Sequence, residues 1–219
     1  MSGAPARKKV AALISGRGSN MTSLLAAAAA PDYPAEIALV LSNRPDAAGL
    51  ATAAAKGIET LAIDHRLYTS REDFERAMQA ALEARGIEIV CLAGFMRLLT
   101  PWFVERWSGR MLNIHPALLP SYKGLHTHER ALADGVKIHG CTVHFVAPEM
   151  DAGPIIAQAA VAVRDDDTPD TLGARVLARE HEIYPLALRL VAGGHARIVD
   201  GRVMGGAPAT GDLVNPRRD

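Results

Sequence analysis

Apolar residues fall into short runs of about four to eight positions, separated by longer stretches in which they recur at helical spacing. The first run, residues 8–15, reads Lys-Lys-Val-Ala-Ala-Leu-Ile-Ser and stops at Gly16. Residues 19–30 follow without Gly or Pro and are rich in alanine, so strand, turn and helix are predicted in that order. The alternation continues with strand 36–42, helix 46–56, strand 60–63, helix 70–85 and strand 87–92. Ser70 with Asp73 has the form of a capping box opening the third helix, and Gly86 closes it. Strands alternating with helices predict an α/β fold: a mostly parallel, twisted sheet with right-handed crossovers and helices on both faces, Rossmann-like in plan.

The second half is less regular. Thr100-Pro101 opens a short helix, and strands 111–114 and 139–146 flank a polar, histidine-bearing segment. That segment is long for a plain loop, and residues 129–134 suit a helix within it. A strand over 154–163 precedes a long helix that starts at Thr168-Pro169 and runs to 192, where Gly193-Gly194 ends it. Pro185 removes one backbone donor inside that helix and is expected to kink it. Residues 197–203 around Asp200-Gly201 read as a hairpin. With 219 residues and no linker or repeat, a single domain over 1–219 is expected, with mobile ends at about 1–8 and 205–219.

Composition narrows the function. Lys and Arg number 24 and so do Asp and Glu, while 49% of residues are hydrophobic, which excludes disorder as the main state. A neutral chain lacks the basic excess that drives nucleic-acid binding, so nucleic acid is not an expected partner. No run reaches the roughly 20 apolar residues of a membrane helix, and the basic N-terminus is followed by too short an apolar stretch for a signal peptide. Cys91 and Cys141 lie in apolar stretches outside any paired motif and read as small buried hydrophobes of a reducing compartment. The cytoplasm is the expected location.

The first strand-to-helix turn is Ser15-Gly16-Arg17-Gly18-Ser19-Asn20-Met21. A dinucleotide fingerprint needs a small residue at Met21 and an acid after the second strand, where Ser42-Asn43-Arg44 stands. A Walker loop needs Gly-Lys-Ser or Gly-Lys-Thr, and neither occurs. Glycines before Ser and Asn at a helix N-terminus still offer free N–H groups to an anion, for which a monophosphate is the natural ligand. The same residues also suit a plain turn with Ser19 as the helix cap.

The densest polar cluster lies in Asn113-Ile114-His115-Pro116. Two residues apart on a strand, Asn113 and His115 share a face, at the strand end where open parallel sheets bind ligands. An amide beside an imidazole is either an oxyanion site with a proton carrier or a hydrogen-bonded pair. Asp151, in a turn between Pro148 and Pro154, is either a turn former or a carboxylate facing His115 and holding its charged form. Five of eight histidines fall between 115 and 144, yet no zinc spacing is present, so no metal is expected. His126 and His128 are expected to line the cleft or face solvent.

Five segments in order resemble phosphoribosylglycinamide formyltransferases, folate-dependent enzymes of purine biosynthesis. They are residues 14–20, 92–99, 113–120, 124–128 and the Asp151 turn. The resemblance implies transfer of a formyl group from 10-formyltetrahydrofolate to the amine of glycinamide ribonucleotide, with Asn113, His115 and Asp151 catalytic. It implies a substrate site at Gly18, Ser19, Asn20, Leu177, Ala178, Arg179 and Glu180. The folate would meet Arg71, Met96, Arg97, Leu98, Leu99, Asn113, Ala147, Pro148, Glu149, Met150 and Asp151. Partners would be small molecules only, with the chain a monomer or homodimer and no metal required. Arg17 stands where a smaller polar residue is expected, and Ala152 replaces a glycine. Methionyl-tRNA formyltransferase and formyltetrahydrofolate deformylase share the chemistry but carry additional domains. A non-catalytic nucleotide-binding module would leave Asn113, His115 and Asp151 without a purpose.

Overall fold

The computed structural model describes residues 6–206. Seven strands form one sheet in the order β3-β2-β1-β4-β5-β6-β7. The first five are parallel: β1 (Lys8–Ile14), β2 (Ala35–Ser42), β3 (Thr60–Ala62), β4 (Ile89–Leu92) and β5 (Met111–His115). Strands β6 (Ile138–Phe145) and β7 (Ile155–Ala162) continue the sheet antiparallel. The mostly parallel sheet is thus present, and its antiparallel extension carries half of the site described below. The expected mobile ends fall largely on residues 1–5 and 207–219, outside the described residues; Lys8 already opens β1.

The sheet is buried on both faces, which is why its central strands read as unbroken apolar runs. Alternate residues of β1 feed different cores. Val10, Ala12 and Ile14 pack with Met21 and Leu24 of α1 (Ser19–Ala28) and with Leu172, Val176 and Tyr184 of α6 (Pro169–Ala192). Ala11 and Leu13 join Phe74 and Met78 of α3 (Arg71–Glu83) and Phe103 of α4 (Pro101–Arg106). Tyr184 is fully buried, and its hydroxyl lies 3.0 Å from the Leu92 carbonyl and 3.2 Å from that of Leu112, pinning α6 to the ends of β4 and β5.

Local signals set the ends of several elements. Ser70 Oγ accepts from the Asp73 N–H at the start of α3, and Thr100 and Thr168 cap α4 and α6 in the same way. Helix α2 (Ala48–Ala54) begins two residues later than its sequence suggests and lacks a side-chain cap. The histidine-bearing segment contains α5 (Thr127–Ala133), and β8 (Arg197–Val199) with β9 (Arg202–Met204) forms the expected hairpin. A single 3₁₀ turn, His65–Leu67, went unforeseen because its cap, Asp64, precedes no apolar periodicity.

Beneath the segment after β5, His128 Nδ1 meets His139 Nε2 at 3.1 Å, and the Tyr122 ring stands edge-on to His139 at 5.8 Å. Burial, and then the neighbouring His128, pushes the His139 imidazole down to about 4 from 6.5. The folded chain therefore resists a proton that the unfolded chain binds readily. Stability from this group is complete above pH 6.5 and is lost as pH falls toward about 4. Unfolding free energies from urea titrations across this window should drop for the wild type by an amount on the order of 1 to 3 kcal/mol, and less for His139→Gln. Parallel pH profiles for the two proteins would count against this account.

Candidate active site

The turn after β1 is rigid because it is tied on several sides. Gly18 holds the N-cap position of α1 with φ 72°, a left-handed backbone natural to glycine, and an added Cβ would meet Met21 Cε at 2.9 Å. The cap is thus Gly18, not Ser19; Ser19 is the first helical residue, and no side chain caps the helix. Its first N–H groups remain available to an anion. The Ser15 hydroxyl donates to Asn43 Oδ1 at 2.6 Å and accepts from the Met96 N–H at 2.8 Å, joining β1, β2 and the loop after β4. Together they enclose a cavity of about 460 Å³, lined by Gly18, Ser19 and Asn20 and also by Asn43, Arg44 and His65. The last three escaped the sequence reading, because only strand order brings the ends of β2 and β3 beside this turn.

Asn20 is nearly buried and donates through Nδ2 to Glu180 Oε2 at 2.6 Å. Burial pushes the Glu180 carboxyl up, against the Asn20 hydrogen bond that lowers it. The remaining α6 candidates behave differently. Leu177, Ala178 and Arg179 are exposed, and Arg179 pairs with Glu182 at 2.7 Å.

Asn113 and His115 rise from β5 onto the same face, and the connection between β6 and β7 brings Asp151 against them. His115 Nδ1 lies 3.4 Å from Asp151 Oδ2, while His115 Nε2 faces the Tyr122 carbonyl at 2.9 Å. Both ring nitrogens thus face oxygen atoms. Asp151 Oδ2 also accepts from the Gly124 N–H at 2.9 Å, so one carboxylate holds the imidazole and the loop above it. Asp151, Tyr122 and His126 all adopt left-handed backbones, at φ 51°, 57° and 56°. Such strain clusters at functional sites.

A fourth member was not foreseen. The antiparallel register sets His144 opposite Asn113, and His144 is 2% exposed. Its Nδ1 donates to the Phe145 carbonyl at 2.8 Å, which leaves Nε2 as an acceptor for Asn113 Nδ2 at 3.2 Å. Burial pushes the His144 imidazole down and so favours this neutral form. His144 thereby fixes the orientation of the Asn113 amide.

Of the residues expected to meet folate, Met96 and Leu98 are 67% and 62% exposed, so they are surface groups, whereas Leu99 packs on the second core. Arg97 has a buried Nε without a hydrogen-bond partner, and Arg71 is exposed at the start of α3. Ala147, Pro148, Glu149 and Met150 lead into Asp151, and Glu149 pairs with Lys123 at 2.9 Å. Ala152 is exposed and is not the left-handed residue of its turn, a place taken by Asp151. The close approach falls at Gly153, where an added Cβ would stand 1.7 Å from the Phe145 carbonyl oxygen. His126 is exposed, while His128 is engaged with His139. Among the described residues no group of three His, Cys, Asp or Glu is placed to hold a metal ion, and no helix is long and apolar enough to cross a membrane.

An α/β sheet that brings an amide, an imidazole and a carboxylate together at the carboxyl end of its parallel strands has the layout of a group-transfer enzyme. The chain belongs to the formyl transferase family, whose profile matches residues 8–188. It is 51% identical over 192 residues to the trifunctional purine biosynthetic protein adenosine-3 of Homo sapiens, covering 88% of this chain and 19% of that protein. The chain therefore spans about a fifth of that relative. It is 43% identical to the phosphoribosylglycinamide formyltransferase of Escherichia coli K12, covering 86% of this chain and 89% of that one. The crystal structure of glycinamide ribonucleotide transformylase 1 from Symbiobacterium toebii superposes with a TM-score of 0.90 at 43% identity, covering 94% of this chain and 97% of that one.

If His144 acts by orienting Asn113, its loss should matter only while Asn113 is present. His144→Leu should lower kcat about tenfold or more with little change in KM, and His144→Gln, which keeps an acceptor, should recover part of the rate. In an Asn113→Ala background the His144→Leu change should cost almost nothing further. Additive losses in the double variant would assign His144 a separate role.

Proposed function

We propose that the chain transfers the formyl group of 10-formyltetrahydrofolate to the primary amine of glycinamide ribonucleotide, giving formylglycinamide ribonucleotide and tetrahydrofolate in purine biosynthesis. The observation that carries this reading is the convergence of His115 and Asp151 at 3.4 Å, with Asn113 on the same strand face and an uncapped helix N-terminus at the same edge of the sheet. Catalysis divides among the residues as follows. Asn113 Nδ2, oriented by His144, and His115 Nε2–H, which exchanges the Tyr122 carbonyl for substrate, stabilise the oxyanion that develops when the amine adds to the formyl carbon. Asp151 holds the imidazole and supports movement of the proton that leaves the amine. A proton reaches the folate nitrogen as its bond to the formyl carbon breaks, so charge and atoms balance without a covalent enzyme intermediate.

The substrate phosphate binds the N–H groups of Gly18, Ser19 and Asn20, with Glu180 and the helical residues Leu177, Ala178 and Arg179 toward the rest of the nucleotide. The folate lies along Met96, Arg97, Leu98 and Leu99 and the stretch from Ala147 to Asp151. Exposed Met96, Leu98 and Met150 support this placement, since an open apolar rim suits a flat ring. Arg71 meets the glutamate tail. The enzyme works in the cytoplasm as one domain, a monomer or a homodimer, on small molecules alone.

A formyl-transfer assay on the purified protein should show turnover with glycinamide ribonucleotide and little with charged initiator tRNA or water. His115→Ala and Asn113→Ala should each lose on the order of 10² in turnover. Equal transfer to tRNA or water, or near-normal rates in either folded variant, would overturn the assignment.

A further inference from the structure

Glu75 has no surface exposure, yet it stands on the buried face of α3 beside Phe74 and Met78 and takes no part in the site described above. A glutamate is rarely enclosed without a partner, because a buried carboxyl group loses its water. Here the partner is one residue, and it is not a cation. Glu75 Oε1 accepts from the Thr100 N–H at 2.8 Å, and Oε2 accepts from the Thr100 hydroxyl. An apolar side chain would fill the same place in the core at less cost, so the task of Glu75 lies in what it holds at Thr100.

Thr100 ends the irregular connection 93–100 between β4 and α4. The upstream part of that connection is tied to the turn after β1: the Ser15 N–H donates to the Gly94 carbonyl at 3.0 Å, and the Met96 N–H donates to Ser15 Oγ at 2.8 Å. Phe95 and Leu99 are anchored in the second core, while Met96 and Leu98 stay exposed. The downstream end has Glu75 as its polar tie. The same Thr100 hydroxyl accepts from the Phe103 N–H and so caps α4, which joins the loop end, the cap and α3 at one buried point. Arg71 precedes Glu75 by four residues on α3, about 6 Å along the helix. One buried contact therefore locks the exposed apolar rim to the helix that presents Arg71.

Resting on the folate site proposed above, we infer that Glu75 is a positioning residue for the folate. It touches no substrate; by clamping Thr100 it holds the stretch from Met96 to Leu99 at a fixed distance from Arg71, so that the ring system and the glutamate tail of one molecule meet a preformed site. A loose loop would have to be ordered at each binding event, and that cost would fall on folate affinity. The nucleotide residues belong to α1 and α6, which pack on the other core, and should be spared.

Tetrahydrofolate is the probe, measured by calorimetry on the wild type, Glu75→Met, Glu75→Gln and Thr100→Val, alongside turnover. Glu75→Met fills the same space and removes both contacts. It should weaken tetrahydrofolate about tenfold and raise the KM for 10-formyltetrahydrofolate by a similar factor, with kcat and the ribonucleotide KM changed by less than about twofold. Glu75→Gln keeps an acceptor for the Thr100 N–H and should recover part of the affinity. Thr100→Val leaves α3 untouched, so it carries the same test even if Glu75→Met does not fold; it should weaken tetrahydrofolate in the same direction and add almost nothing when combined with Glu75→Met. A contact that only stabilised the fold would lower urea resistance and the active fraction while leaving both KM values in place. That pattern, unchanged tetrahydrofolate affinity in the folded variants, or an equal rise in both KM values would overturn the inference. A wild type that neither binds tetrahydrofolate nor transfers a formyl group would sink the proposed reaction and this inference with it, whereas wild-type turnover with indifferent Glu75 variants would sink the inference alone.

Discussion

The pairing of β6 against β5 is the constraint on which the site depends. It sets Asn113 opposite His144 and His115 opposite Thr142, and a slip of one residue would turn each β6 side chain to the other face. Thr142 makes the register useful beyond the strand. Its hydroxyl donates to the Ala117 carbonyl at 2.7 Å and accepts from the Leu119 N–H at 3.0 Å, and Gln158 on β7 donates to the Leu119 carbonyl at 2.9 Å. The backbone leaving His115 is thereby fixed by the two antiparallel strands, not by its own sequence.

Helix α6 supplies the other half of the support. Its apolar face is buried through Leu172, Val176, Ile183, Tyr184, Ala187 and Leu188, and the Tyr184 hydroxyl reaches the ends of β4 and β5. Glu180 projects from the same buried face to Asn20 at the start of α1. One helix therefore couples β5, which carries Asn113 and His115, to the turn proposed to hold the phosphate. Its 24 residues are long enough to do both. The geometry of two distant polar groups is set by a single apolar stripe, which is why positions such as Val176 bear on the site without touching it.

Much of this was legible in the chain. Period and punctuation located the strands and helices, since Ser70, Gly86, Thr100 and Thr168 mark boundaries through backbone freedom or capping. Asn113 and His115 were readable as a pair because a strand has a period of two. What remained hidden was long-range. His144 was only one of several histidines until the register set it against Asn113, and Asn43, Arg44 and His65 joined the cavity only because β2 and β3 neighbour β1. The direction of β6 was equally closed to periodicity, because a buried strand reads the same whichever way it runs. The plain-turn alternative offered Ser19 as the cap because Ser is a good side-chain capper, whereas the left-handed N-cap position is filled by Gly18.

The Asp151 carboxylate joins these lines of argument, because it does two tasks with one oxygen. Oδ2 faces His115 Nδ1 at 3.4 Å and accepts from the Gly124 N–H at 2.9 Å, while the Lys123 and Glu149 pair ties the same two segments from outside. That outer pair is exposed and contributes little; the inner contacts are largely desolvated and count for more. Left-handed backbones at Tyr122, His126 and Asp151 each cost on the order of 1 kcal/mol, and the contacts to Asp151 help to offset that strain. Order in the loop over the site and the placement of the imidazole therefore draw on the same charge. A change at Asp151 acts on both at once, so its effect on rate measures the coupled unit of loop, carboxylate and imidazole, and not the electrostatics of His115 alone.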